Sequence, residues 1–189
     1  MIETTVSSER VYSGRIIGVR VDRVRLADGA ETTREVVDHA GSTAVVALDD
    51  AGRVLLVQQF RYPAGQELWE IPAGRRERDE TAAEAAAREL AEEAGLGAAH
   101  LEHLLTIYAS PGYCTERLWV YLASGLSEKQ GQPDPDERIA KAWFPLHEAV
   151  TMCLYGQILD AKTVAAILAV AARRRTAAEA APVGPAIKD

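Results

Sequence analysis

Apolar and polar positions alternate along this chain in two different rhythms. From Val11 to His39 the residues are polar and β-branched and are broken by Asp28-Gly29, a hairpin signal between extended runs. Val19 and Val21 alternate, but Val24 and Leu26 fall in the opposite phase, which predicts a bulge within that stretch. So few large apolar groups cannot hold these strands alone, and they must pack on something else, another subunit included. Next come STAVVAL (Ser42 to Leu48) and RVLLVQQF (Arg53 to Phe60), a pair of buried strands around Asp49-Asp50-Ala51-Gly52. Leu68-Trp69-Glu70-Ile71 follows, closed by Pro72-Ala73-Gly74. The clearest helix runs from about Ala82 to Ala94. Thr81 with Glu84 forms a capping box, and Gly95 is a natural terminator. His100 to Tyr108 and Glu116 to Ala123 read as strands around Ser110-Pro111-Gly112-Tyr113-Cys114-Thr115. Gly125 to Arg138 is a polar loop, and Ile139 to Phe144 returns as a strand. Helices are expected over Leu146 to Leu154 and Asp160 to Arg175, the second using Val164, Ile167, Leu168 and Ala171 as one face. Strands and helices in this order predict a layered α+β or α/β fold.

Composition narrows the class. The 189 residues are 48% hydrophobic and 26% charged, enough to build one core with a small appendage. The divisions expected are an N-terminal antiparallel β unit over 1–40, a main domain over 41–175 and a disordered tail over 176–189. A net charge of −7 argues against a nucleic-acid partner. Two cysteines make no disulfide framework and fit a reducing, cytoplasmic setting. MIETTVSSER has no charged region leading into an apolar stretch, so no signal peptide is read. The uncharged run Thr163 to Ala172 is too short to span a bilayer, so no membrane partner is expected.

The chemistry concentrates in Gly74 to Leu96, GRRERDETAAEAAARELAEEAGL. Glu89, Glu92 and Glu93 stand at i, i+3 and i+4, which puts three carboxylates on one helical stripe. Like charges at this spacing repel, so a positive group should compensate. A hard divalent cation with oxygen ligands, Mg²⁺ or Mn²⁺, fits best. His39, His100, His103 and His147 form no zinc pattern. Arg88 can pair with a carboxylate elsewhere, Glu80 among them. Gly74, just past a strand end, could take an unusual backbone angle that exposes the carbonyl of Ala73 to the metal. Taken alone, the glutamates read more readily as a solvated helix face. The whole pattern has seven fixed residue types and two apolar positions. Its chance occurrence is on the order of one in 10⁷.

That pattern is Gly-x5-Glu-x7-Arg-Glu-apolar-x-Glu-Glu-x-Gly-apolar, carried by Gly74, Glu80, Arg88, Glu89, Glu92, Glu93 and Gly95, and it resembles the Nudix box at every defined position. The resemblance implies a Nudix α/β/α sandwich around a mixed sheet. It implies metal-dependent attack of water on the phosphorus of a nucleoside diphosphate linked to another group. Pro111 lies 15 residues past Leu96, as in the ADP-ribose pyrophosphatase subfamily. Gln58 to Arg61, Leu68 to Gly74, Arg34 to Val37 and Gly156 to Thr163 are also similar to that subfamily.

The resemblance implies hydrolysis of ADP-ribose to AMP and ribose 5-phosphate, with two or three Mg²⁺ or Mn²⁺ ions per site when substrate is bound. Glu89 and Glu93 are implied as principal ligands, with Glu92 contributing or acting as a salt-bridge partner and Ala73 offering its carbonyl. Substrate contacts are implied at Arg34, Arg61, Glu70, Gly112 and Glu116. Water activation falls to Glu137 in the loop Asp134 to Ile139, with Asp136 and Glu93 as alternatives. Relatives are homodimers that exchange N-terminal strands, so Arg34 can serve the partner's site. Other nucleotide sugars, GDP-mannose or UDP-sugars, are the alternative substrates, and a non-catalytic ADP-ribose sensor is a further one.

Overall fold

The computed structural model describes residues 2–132 and 138–180. Three antiparallel strands come first, β1 (Thr4–Ser13), β2 (Gly18–Arg25) and β3 (Glu31–Asp38), in the order β1-β2-β3. The hairpin at Asp28-Gly29 joins β2 to β3. The irregularities lie in the β1–β2 pairing, between Thr5 and Ser7 and between Arg10 and Tyr12. They sit on β1, opposite the stretch where the phase of β2 slips. β1 is exposed along its whole length. The sheet is fastened to the rest of the chain at β3, where Val37 N–H donates to Tyr113 O (2.7 Å) and Thr115 N–H to Val37 O (2.9 Å).

The main body is built on β4 (Ser42–Ala47), whose six residues are all buried. It pairs in parallel with β9 (Arg117–Glu128) and antiparallel with β7 (Ala73–Arg75). The strand β8 (Leu96–Tyr108) then completes a mixed sheet, β7-β4-β9-β8. A second sheet has the order β10-β5-β6, from β5 (Arg53–Arg61), β6 (Gln66–Glu70) and β10 (Ala140–Pro145). The two apolar runs expected to pair with each other therefore part company. β4 and β5 share only the bridge Leu48–Val54 and enter different sheets. Both are buried on both faces, so each needs a neighbour on either side, which a lone hairpin cannot supply.

The pleat divides the core. Ala44, Val46, Val54 and Leu56 point to one layer, with Ala149 and Met152 of α2 (Leu146–Leu154) and Ala166, Ile167 and Val170 of α3 (Ala161–Ala180). Val45, Ala47 and Leu55 point to the other, with Ala86 of α1 (Ala82–Glu89) and Leu90. Alternation with period two thus places helices on both sides, an α/β/α sandwich. The face α3 buries is Thr163, Ala166, Ile167 and Val170, one step out of phase with the expected stripe. Trp69 meets Phe144 edge-on at 5.3 Å, while Trp119 and Trp143 border the α1 layer. Among the described residues, no helix is long and apolar enough to cross a membrane.

α1 starts where its capping box says it should. Glu84 N–H donates to Thr81 Oγ1 (3.2 Å), and Thr81 N–H donates to Glu84 Oε2 (2.8 Å). Thr81→Ala should lower unfolding free energy by about 1 kcal/mol, read as a shift of the urea midpoint at constant slope.

Candidate active site

The expected helix from Ala82 to Ala94 is two pieces. After Glu89 the chain widens into a π turn over Leu90–Ala94, ended by Gly95 at φ 74°. Ala85, Ala86, Leu90, Ala91 and Ala94 are buried, so mostly methyl-sized side chains let this segment approach the sheet closely. That approach carries Glu89 and Glu93 into buried positions beside β7. Glu93 Oε2 accepts from the N–H of Ala73 (2.9 Å). Glu89 lies directly over Gly74. A Cβ built on Gly74 would stand 2.0 Å from Glu89 Oε1. A side chain there would displace the Glu89 carboxylate, while the backbone angle asks for no glycine: Gly74 sits in β7, and its φ is not positive.

Arg88 organises the remaining charge. Its Nε and NH2 clasp the two oxygens of Glu80 at 3.0 Å each, and NH1 donates to Glu89 Oε1 and Glu92 Oε2, both at 2.8 Å. NH2 also donates to the carbonyl of Arg75 (3.0 Å). A guanidinium has five N–H donors, and these five contacts match that capacity. The hydrogen bonds from Arg88 hold the Glu80 carboxyl below the usual carboxylate range, and its contacts with Glu80 and Glu89 push the guanidinium up. Among the described residues, no three acidic or imidazole side chains yet close on one point. Glu89 and Glu92 turn to Arg88, and Glu93 turns to Ala73. The donor set fits a hard divalent cation: three carboxylates that line one cleft offer oxygen alone.

These groups line a cleft of about 1070 Å³. Glu89, Glu92 and Glu93 are among the lining residues, and so are Arg61, Asp160, Ala161 and Lys162. Glu116 is on the rim, where it accepts from Ser42 Oγ (2.7 Å) and lies 3.8 Å from His39 Nδ1. Glu70 is not in the cleft but under it, 1% exposed. Arg61 donates to it from Nε (2.6 Å) and NH2 (2.7 Å), and Lys162 donates to its second oxygen. Burial pushes the Glu70 carboxyl up, but Arg61 and Lys162 outweigh it and hold the group ionised, below the usual carboxylate range.

The structure gathers Arg61, Ala73, Gly74, Arg88, Glu89, Glu92, Glu93 and Glu116 around one cleft. Arg34 is elsewhere, exposed and paired with Glu3 at 2.7 and 3.1 Å. Gly112 does not line the cleft, and the side of it where a Cβ would point is open space. Glu137 and Asp136 lie outside the described residues. Sequence reasoning assigned no role to Ser42, Asp160 or Lys162. The signal for the last two was the segment Asp160-Ala161-Lys162-Thr163, read only as a resemblance.

The Nudix domain matches residues 38–167, and the N-terminal domain of nucleoside diphosphate sugar hydrolases matches residues 3–37. The chain belongs to the Nudix family. It is 41% identical to the ADP-ribose pyrophosphatase of Mycobacterium tuberculosis over 170 residues, 88% of this chain and 82% of that protein. It is 38% identical to the ADP-ribose pyrophosphatase of Bacillus subtilis over 167 residues, 87% of this chain and 90% of that one. The fold matches a crystal structure titled as an ADP compounds hydrolase with a TM-score of 0.83 at 20% identity, covering 94% of this chain and 96% of that one. The chain is thus a Nudix hydrolase, and such hydrolases use divalent metal ions.

Gly74→Ala should push the Glu89 carboxylate off β7. Metal-dependent turnover is expected to fall by roughly a hundredfold, with the melting temperature lowered only slightly. Titration of Mn²⁺ binding beside a thermal melt separates the two effects.

Proposed function

We propose that this chain is a Mg²⁺-dependent pyrophosphohydrolase that cleaves ADP-ribose to AMP and ribose 5-phosphate. The observation that carries the reading is one cleft lined by the carboxylates of Glu89, Glu92 and Glu93 together with the cations Arg61 and Lys162. A diphosphate brings at least two negative charges to a protein of net charge −7, so it must be neutralised locally. Glu89 and Glu93, with Glu92, would hold the metal. When bound, it supplies Lewis-acid polarisation of phosphoryl oxygens and lowers the pKa of water. Arg88 keeps the carboxylates in register. Arg61, fixed by Glu70, offers a guanidinium edge to phosphate. Glu116 can accept a hydroxyl from the sugar.

We assign water activation to Glu137, with Asp136 and Glu93 as alternatives, from the resemblance of its loop. The support is that the chain returns from that loop into β10, where Ala140 pairs with Gln58, three residues before Arg61. We also assign a homodimer in which N-terminal strands are exchanged. β1 is wholly exposed in one chain, and Val6, Val11, Tyr12, Ile16 and Ile17 are exposed apolar groups on and beside it. Arg34 would then serve the partner's cleft. The setting assigned is the cytoplasm.

The test is product identification with Mg²⁺ and a panel of ADP-ribose, GDP-mannose, UDP-glucose and NADH. AMP formed chiefly from ADP-ribose is the expected result. GMP or UMP as the main product would move the substrate to another nucleotide sugar. Binding of ADP-ribose with no turnover of any panel member would favour a sensor. Glu93→Gln should lower Mg²⁺-dependent turnover by about a hundredfold or more, with circular dichroism unchanged. Unchanged turnover in that variant would remove Glu93 from the site.

A further inference from the structure

The cleft and its floor also hold a four-residue ionic network of Arg61, Glu70, Asp160 and Lys162, in which Asp160 and Lys162 have so far been given no role. Glu70 is 1% exposed and ties together Arg61, nine residues before it, and Lys162, 92 residues after it. Lys162 Nζ also contacts Asp160 Oδ1 at 3.0 Å. The start of α3 is fastened to the same place. Thr163 N–H donates to Asp160 Oδ2 (3.0 Å), and the N–H of Ile71 donates to Thr163 Oγ1 (2.9 Å). The backbone on either side of Lys162 is therefore fixed to the end of β6.

Such a network is a poor way to stabilise a fold. Burying ions costs desolvation, and a lysine held 15% exposed gives up its rotamer freedom. The geometry has a cleaner use. An ammonium has three N–H donors. Glu70 and Asp160 take two of them, and Lys162 lines the cleft. The third is left for a ligand there. Arg61 commits Nε and NH2 to Glu70, so the same carboxylate aims both cations, and Arg61 also feels the charges of Glu93 and Asp160.

We propose that Lys162 is a phosphate-binding residue of the cleft, and that Glu70 is a positioning residue that holds Lys162 and Arg61 side by side against the substrate's diphosphate. This rests on the diphosphate-hydrolase reading above. Glu89 and Glu93 would hold a metal that neutralises phosphoryl charge, and the Arg61–Lys162 pair would bind further phosphoryl oxygens. Glu70 is thus not a substrate contact, and its charge sets where the two cations stand.

Inorganic diphosphate with Mg²⁺ is the probe, titrated calorimetrically, beside steady-state hydrolysis of ADP-ribose. Lys162→Met should weaken diphosphate binding by about tenfold to a hundredfold, the loss of one charge-assisted hydrogen bond. Its KM for ADP-ribose should rise more than its kcat falls. Lys162→Arg should restore most of the binding. Glu70→Gln separates aiming from neutralising. If Glu70 only cancelled charge, glutamine would free the cations and tighten diphosphate binding; aiming predicts weaker binding with the melt retained. Lys162→Met within about twofold of wild type in both assays would overturn the Lys162 assignment. Tighter binding by Glu70→Gln would overturn the role given to Glu70. Wild-type protein that binds diphosphate but leaves ADP-ribose intact would displace the substrate reading and keep Lys162 testable by titration. Wild-type protein that binds neither would overturn both.

Discussion

Three carboxylates within thirteen residues of one another, those of Glu80, Glu89 and Glu92, are held together by a single guanidinium. Arg88 grips Glu80 with two donors and shares a third group between Glu89 and Glu92. Without that cation the mutual repulsion of Glu89, Glu92 and Glu93 would act against the helix that carries them. The rest of the site follows from how close this segment can come to the sheet. Ala85 and Ala86 are fully buried and present only methyl groups, and Gly74 presents nothing beneath Glu89. A larger side chain at any of the three would lift the carboxylates away from β7. Small residues here set a distance, and the distance puts two acids on the cleft wall in buried positions where their charge is weakly screened.

Interactions confined to a short stretch of chain were legible before any fold was known. Thr81 with Glu84, Gly95 as terminator, Arg88 reaching Glu80 and the small helix at Leu146–Leu154 all depend on separations of a few residues and on fixed helical spacing. What could not be read depends on which strands become neighbours. STAVVAL and RVLLVQQF read as a pair because only one turn separates them, yet β4 pairs with β9 and β5 with β10, strands that arrive from far along the chain. The phase of α3 was misjudged for a related reason. In an alanine-rich helix several stripes look alike, and Thr163, a polar residue, is buried only because it bonds to Ile71. Glu70 shows the same limit: its ion pairs with Arg61 and Lys162 join residues 9 and 92 positions away and have no local signature.

The acids and the cations of the cleft come from different elements of the domain. Acids and a metal belong on a rigid helix, where spacing alone fixes them. Cations meant for the substrate cannot come from the same helix without neutralising the site. Arg88 already meets that limit, since its five donors are spent on Glu80, Glu89, Glu92 and the Arg75 carbonyl. Arg61 and Lys162 therefore come from β5 and from the first turn of α3, and a buried acid from β6 joins them. Because α3 also supplies Ala166, Ile167 and Val170 to the core, the packing that docks this helix sets the position of Lys162. The lining of the cleft is thus set in part by hydrophobic contacts on the far side of the sheet from the carboxylates, and the same burial that stabilises the sandwich holds its charged groups in place.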